Sequence, residues 1–151
     1  MNNALTETPD ATTLMLRRTF DADMDRFFAA LTRAEAIREW FGPGPFRVRH
    51  AASDLRVGGA WVIEMESPEG NAHNVGGEYL EVDPPKMVAF TWAWTNEPTE
   101  ISHVRYALTP ADAGTTLTLT HSRLPSEDSR DLHGQGWNGA LDKLMPWIAN
   151  A

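Results

Sequence analysis

SRDLHGQGWNGALDKLMPWIA, residues 129–149, is the segment on which the predicted architecture rests. Four large apolar residues recur in it at spacings of four, three and four, and they are Trp137, Leu141, Leu144 and Ile148. This spacing places their side chains on one face of an α-helix. Pro146 lies within the same segment, and because proline has no backbone N–H we expect either a kink there or a helix that ends near Met145.

The chain before this helix is dominated by segments in which apolar and polar residues alternate. Six such segments follow one another between residues 46 and 121, and turn-forming Gly, Pro, Asn and Asp separate them. This alternation is typical of β-strands, and short turns favour antiparallel neighbours. A further strand over residues 13–20 precedes two short helices, which end before Gly42-Pro43-Gly44-Pro45. We therefore predict an α+β domain in which a curved antiparallel sheet of about seven strands packs around the long C-terminal helix.

Length, charge and composition exclude several classes of protein. The 151 residues suit one domain, which we place at residues 11–151 behind a flexible N-terminal tail of residues 1–10. The net charge of −8 disfavours nucleic acids and anionic membranes as partners, because both require clustered Lys and Arg. Because the chain has no cysteine, no apolar segment long enough for membrane insertion and no signal peptide, we predict a cytoplasmic protein. We expect it to be either a monomer or a homodimer.

Eight short motifs, in order along the chain, carry a resemblance to a known family. They are RTFDA (18–22), FAALT (28–32), WFGP (40–43), DLRVGGAW (54–61), GEYLEVDPP (77–85), FTW (90–92), GTTL (114–117) and GW (136–137). Over most of its length the chain resembles the START-like (SRPBCC) superfamily, in the branch named after the activator of the 90-kDa heat-shock protein ATPase. The resemblance implies a helix-grip fold with an internal pocket for a small hydrophobic molecule and, through the name of the branch, contact with a chaperone in a stress response.

The residues expected to line this pocket share the inward phase of the strands or the inner face of the last helix. They are Phe41, Phe46, Val48, Trp61, Ile63, Met65, Leu80, Phe90, Trp92, Val104, Tyr106, Leu117, Leu119, Trp137, Leu141 and Leu144. The alternative for each of them is an ordinary place in the hydrophobic core, where aromatic stripes normally pack. Large aromatic side chains on a concave surface favour an apolar or aromatic ligand.

A few polar residues fall in phase with these apolar neighbours. His50, Glu78 and His121 are candidate acid–base groups, and both histidines are also candidates to orient a ligand. The alternative for each histidine is a structural place in the core or at its rim. Buried Arg18 or Glu78 would be costly alone, so we expect each to lie at the pocket mouth or to have a partner of opposite charge. Three other histidines are expected to be exposed to solvent, and they are His73, His103 and His133.

Three hypotheses for function remain open from the sequence. The first is a non-catalytic binder of a small apolar or aromatic molecule. The second is an enzyme of the cyclase, hydratase or hydrolase kind, which requires at least two of His50, Glu78 and His121 to converge on one cavity. The third is a chaperone-regulating interaction module, which predicts a filled interior and an exposed apolar patch. We expect neither a cofactor nor a metal site, because the chain contains no phosphate-binding glycine motif and no pair of histidines at metal-ligand spacing.

Overall fold

The computed structural model of the protein describes residues 5–150. Its strands are β1 (Leu5–Asp10), β2 (Thr13–Phe20), β3 (Arg47–Ser53), β4 (Ala60–Glu66), β5 (Ala72–Asp83), β6 (Met87–Trp94), β7 (Ser102–Ala111) and β8 (Gly114–Ser122). Its helices are α1 (Met24–Thr32), α2 (Ala34–Trp40) and α3 (Glu127–Asn150).

The strands form one antiparallel sheet in the order β1-β2-β8-β7-β6-β5-β4-β3. Strands β3 to β8 are a meander, and β2 closes onto β8, with Leu16 opposite Leu119. The two short helices follow β2, and α3 ends the chain. The predicted α+β helix-grip fold is therefore confirmed, with eight strands where about seven were expected.

The additional strand is β1, which lies in the segment predicted to be a flexible tail. Leu5 pairs with Arg17 of β2 and Asp10 pairs with Thr13 across the turn, so backbone hydrogen bonds hold the segment in place. The prediction is wrong for residues 5–10, and residues 1–4 lie outside the described part of the chain. All six side chains of β1 are exposed, and a strand without a buried face leaves no apolar alternation in the sequence.

The helix α3 is fixed on the sheet by apolar side chains that are almost completely buried. Seven of them are at most 1% exposed, and they are Leu14 and Leu16 of β2, Leu117 and Leu119 of β8, and Leu141, Leu144 and Ile148 of α3. Full burial of a side chain of this size contributes roughly 1.5–3 kcal/mol. The apolar stripe read from the sequence is therefore the face of α3 that packs in the core.

Arg18 lies among these apolar residues and is only 4% exposed. Its Nη1 atom is 2.8 Å from Oδ1 of Asp142, and its Nη2 atom donates to Oδ1 of Asn138 at 2.9 Å. The expectation that a buried Arg18 has a partner of opposite charge is confirmed by Asp142. The ion pair ties β2 to α3.

Pro146 does not end α3, which continues to Asn150. The predicted end near Met145 is therefore wrong. Pro146 and Asp142, whose carbonyl loses the N–H donor of residue 146, are both exposed. Water can hydrate a carbonyl on this side of the helix, which limits the cost of the missing hydrogen bond.

A β-bulge in β3 reverses the direction in which its later side chains face. Val48 lies opposite Met65 of β4, and the next inward residue of β3 is Ala51, three positions later instead of two. One extra residue in a strand reverses the alternation beyond it. His50 is therefore exposed on the outer face of the sheet, and its predicted inward position is wrong.

A second bulge, in β5, has the same effect. Buried Tyr79 lies opposite Phe90 of β6, and the next inward residue of β5 is Val82, again three positions later. Glu78 and Leu80 consequently face outward, and Leu80 is 37% exposed. Their predicted inward positions are wrong, because counting back from Val82 in steps of two crosses the bulge.

Candidate ligand pocket

A pocket of about 790 Å³ opens at one end of the sheet, where β6 ends and α3 begins. Five aromatic side chains line it, and they are Phe41, Phe46, Trp92, Trp94 and Trp137. The ring centroid of Trp92 is 5.3 Å from that of Trp137 and 6.1 Å from that of Phe41. A volume of this size lies within the range of small-molecule binding sites.

The N-terminal half of α3 contributes one helical face to the pocket. Its lining residues recur every three or four positions, and they are Ser129, Leu132, His133, Gly136, Trp137 and Ala140. At Gly136, no atom lies within 4 Å of the place that a Cβ would take. A glycine inside a helix costs about 1 kcal/mol relative to alanine. Gly136 therefore weakens α3 and leaves room in the pocket.

The loop of residues 41–46 forms another wall and is held against α3. The Nζ atom of Lys143 donates to the carbonyl oxygens of Phe41 at 3.3 Å and Phe46 at 3.2 Å. Burial lowers the pKa of Lys143. A Cβ on Gly139 would lie 3.1 Å from Cα of Pro43, which is tighter than an ordinary contact, so glycine at this position favours the close approach of the helix and the loop. These contacts hold the loop, which carries the lining residues Phe41 and Phe46, close to α3.

Deeper between the sheet and the helices, side chains fill the space. The void that remains there is about 20 Å³. Residues that border it include Trp61, Ile63, Phe90 and Tyr106, together with Phe41 and Trp92 from the edge of the open pocket. The interior is therefore packed in its centre and open at one end.

The predicted pocket residues divide into groups according to this arrangement. Five line the open pocket, and they are Phe41, Phe46, Met65, Trp92 and Trp137. Trp61, Ile63, Phe90 and Tyr106 border the small void. Five are core residues at most 1% exposed, and they are Val104, Leu117, Leu119, Leu141 and Leu144. Val48 is half-buried against the core, and Leu80 faces outward. Contact of any of them with a ligand stays a prediction.

His121 is completely buried behind the pocket wall, and both of its ring nitrogens are engaged. Nε1 of Trp137 donates to Nδ1 of His121 at 3.0 Å, and because an indole N–H can only donate, the neutral imidazole carries its proton on Nε2. That Nε2 lies 2.7 Å from Oγ of Ser102, which donates to the carbonyl oxygen of Trp92 at 3.4 Å. Burial, helped by nearby His133, holds the pKa of His121 well below its ordinary value.

His133 lines the pocket beside His121, with ring centroids 4.9 Å apart. Nε1 of Trp94 donates to its Nε2 at 3.3 Å, and its Nδ1 donates to the carbonyl oxygen of Ser129 at 2.8 Å. Burial lowers the pKa of His133 against the opposing effect of the Ser129 hydrogen bond. The expectation that His133 is exposed is wrong. His133 lies four residues before Trp137, and this spacing is the signal in the sequence that places both side chains on the same face of the helix.

The three candidate acid–base residues do not converge on one cavity. His50 and Glu78 are exposed on the outer face of the sheet. Both ring nitrogens of His121 are occupied by hydrogen bonds to Trp137 and Ser102. The enzyme hypothesis in the form that requires two of these residues near a common point is therefore wrong.

Two buried side-chain nitrogens within residues 5–150 have no hydrogen-bond partner, and they are Nε of Arg18 and Nε1 of Trp92. Trp92 lies between the open pocket and the small void. In the same part of the chain, no group of three or more His, Asp and Glu side chains is placed to hold a metal ion. None of the helices described there has both the length and the apolarity needed to cross a membrane.

The family model described as Activator of Hsp90 ATPase homolog 1-like protein matches residues 21–147. The chain belongs to this family. The AHSA1 protein of Silicibacter pomeroyi is 30% identical, with a TM-score of 0.83 over 91% of this chain and 97% of that one. A protein of Chromobacterium violaceum is 25% identical, with a TM-score of 0.85 over 91% and 98% of the two chains. The resemblance read from the sequence is confirmed, and no curated protein matches the chain.

Proposed function

We propose that the pocket binds a small apolar or aromatic molecule. The observation that carries the proposal is the contrast between an open, aromatic-lined pocket of about 790 Å³ and a packed interior with a void of about 20 Å³. Apolar ligand surface buried there would contribute roughly 25 cal/mol per Å² before the costs of binding. Membership of the AHSA1-like family, with its START-like fold, supports a ligand-binding module of this kind.

The unpaired indole nitrogen of Trp92 adds a feature to the expected ligand. It is a hydrogen-bond donor without an acceptor, and the Trp92 side chain borders the pocket. A buried donor without a partner is unfavourable. A ligand with an acceptor atom that reaches this nitrogen would gain a hydrogen bond that no described residue provides.

The proposal is tested with the neutral hydrophobic dye Nile red and a variant that fills the pocket. We expect the dye to gain fluorescence with the native protein and to raise its melting temperature, because a ligand that binds only the folded state stabilises it. Gly136→Leu places a side chain in the open space beside α3, so it should abolish both effects while the protein stays folded.

Gln135→Leu is the matched control, because it adds the same side chain one position away, at an exposed residue that does not line the pocket. It should bind the dye like the native protein. Equal binding by the Gly136→Leu and Gln135→Leu variants would place the dye outside the pocket and contradict the proposal, as would the absence of binding to the native protein.

A chaperone-regulating interaction is the second candidate, because the family description names activation of the Hsp90 ATPase. The described exposed large apolar residues are spread over several elements, and they are Leu5, Val57, Leu80, Ile101 and Leu132. Exposed apolar residues are common on protein surfaces, and an interaction site requires a contiguous patch of them. An ATPase assay of purified Hsp90 tests this second candidate. If the native protein and its Gly136→Leu variant both raise the ATPase rate of Hsp90, the result would favour the interaction module.

The cytoplasmic location and the monomeric or homodimeric state stay predictions.

A further inference from the structure

We propose that the ligand is an organic cation, with an apolar or aromatic body in the pocket and a protonated amine or quaternary ammonium group at its mouth. This inference rests on the proposed function of the pocket and adds the chemical class of the ligand. The evidence for this ligand class is the set of charged side chains and aromatic rings that line the opening of the pocket.

The charged side chains at the mouth are all acidic. Glu97 and Glu100, in the loop between β6 and β7, and Asp128, in the first turn of α3, line the pocket. Among the described lining residues none is Lys or Arg, and the described ion pairs of the chain include none of these three carboxylates. Asp128 is partly compensated by the dipole of α3. Glu97 and Glu100 therefore give the opening two carboxylates without an ion pair among the described residues. The ammonium group of Lys143 lies behind the wall, where it donates to the carbonyl oxygens of Phe41 and Phe46.

A second hollow, of about 420 Å³, adjoins the pocket and shares His73, Trp94 and Glu97 with it. The polar residues that it adds are Asn74, Thr95 and Asn96. Glu97 thus stands where the aromatic pocket meets a polar recess. A cationic group at this junction would lie near a carboxylate and beside the indole ring of Trp94, and aromatic faces attract cations.

The same arrangement disfavours anionic ligands. A carboxylate or phosphate entering the pocket would approach three negative side chains without a Lys or Arg partner. The net charge of −8 adds to this repulsion at long range. The structure therefore predicts an order of affinity in which a cation binds more tightly than its neutral isostere, and an anion binds most weakly.

Three probes of nearly equal size test this order by isothermal titration calorimetry: naphthylethylamine, naphthylethanol and naphthylacetate. We expect the amine to bind about 5–20-fold more tightly than the alcohol, because an exposed ion pair and a cation–π contact each contribute a few-fold. The acetate should bind more weakly than the alcohol. The preference for the amine should shrink as the salt concentration rises.

Charge-neutralising variants locate the source of the preference. Glu97→Gln should lower the affinity for the amine about 2–5-fold and leave the affinity for the alcohol unchanged. Glu100→Gln should have a similar or smaller effect. Glu81→Gln is the matched control, because Glu81 is an exposed residue of β5 that does not line the pocket and its loss changes the net charge equally.

The outcomes separate this inference from the proposed function. Selective loss of amine affinity in Glu97→Gln, but not in Glu81→Gln, supports the inference. Equal binding of amine and alcohol, or tighter binding of the acetate, overturns the cation preference and leaves a ligand pocket in place. Failure of all three probes to bind the native protein contradicts the proposed function as well.

Discussion

The two halves of α3 pack against the same sheet but leave different amounts of space. In the second half, Leu141, Leu144 and Ile148 are at most 1% exposed. In the first half, Leu132 is 65% exposed and Gly136 faces open space. Large side chains close the interior along one half of the helix, and glycine leaves it open along the other. The comparison shows that one segment of the helix closes the core and another segment lines the pocket.

The largest expected effect comes from the closed half. Leu144 is fully buried, so Leu144→Ala should lower the free energy of unfolding by about 2–5 kcal/mol, through lost burial and the cavity left behind. Urea unfolding followed by circular dichroism measures the change. Leu132→Ala, the same substitution in the open half, should change stability by less than about 0.5 kcal/mol because the side chain is already exposed. Similar losses in the two variants would abolish the distinction between the halves.

Trp137 joins the two halves, since its ring lines the pocket and its N–H reaches into the core. Trp137→Phe keeps an aromatic ring but leaves Nδ1 of fully buried His121 without its donor. An unsatisfied buried polar atom costs about 1–3 kcal/mol, and we expect a loss of stability of that size in urea unfolding. Trp147→Phe, at a half-buried position of the same helix, is the matched control. An equal loss in the control would show that ring volume, and not the hydrogen bond, decides the effect.

Most of the fold followed from periodicity in the sequence. The spacing of Trp137, Leu141 and Leu144 indicated the buried face of α3, and alternation predicted the meander. Strand β1 was missed because all of its side chains are exposed, so hydrogen bonding to β2 is what places it. Apolar pattern predicts a strand only where one face is buried.

The site could be predicted only in part, for two physical reasons. Bulges in β3 and β5 reversed the facing of His50 and Glu78, and a bulge leaves no mark in an alternating sequence. The pocket lies between α3 and the loop of residues 41–46, where Gly139 favours a close approach and Lys143 donates to two carbonyl oxygens of the loop. Periodicity specifies which face is inward but not the distance between packed elements.

Two histidines at the pocket end of the core, His121 and His133, should make the free energy of unfolding depend on pH. Burial holds the pKa values of His121 and His133 below the ordinary value of 6.5, so the folded protein binds fewer protons than the unfolded chain. The free energy of unfolding should therefore be highest above pH 6.5, the ordinary histidine pKa. It should fall as the pH decreases from 6.5 towards the lowered pKa values of the two folded-state histidines. Melting temperatures measured between about pH 7.5 and pH 5.5 test this dependence.

Variants assign the pH dependence to the pocket histidines. His133→Asn retains an amide that can donate to the carbonyl of Ser129 and should flatten the dependence on pH. His50→Asn removes an exposed histidine from the outer face of the sheet, and the melting temperature of this variant should depend on pH as that of the native protein does. A native protein whose pH dependence matches that of His133→Asn would contradict the role assigned to His133.

The smallest expected effect concerns the glycines of α3, and it has the opposite sign. Gly136→Ala should raise the free energy of unfolding by about 0.5–1 kcal/mol, because alanine favours the helix and its methyl group enters open space. In Gly134→Ala the new Cβ would lie 3.4 Å from Leu14, an ordinary contact, so a similar gain is expected. Gly139→Ala should instead lower the free energy of unfolding, because the new Cβ would lie 3.1 Å from Cα of Pro43. Urea unfolding of the three variants measures where α3 has room, and a loss of stability in Gly136→Ala would mean that the pocket is closed at that position. A gain there, with a loss at Gly139, would show that space beside the helix, and not helix propensity, separates the open half from the closed one.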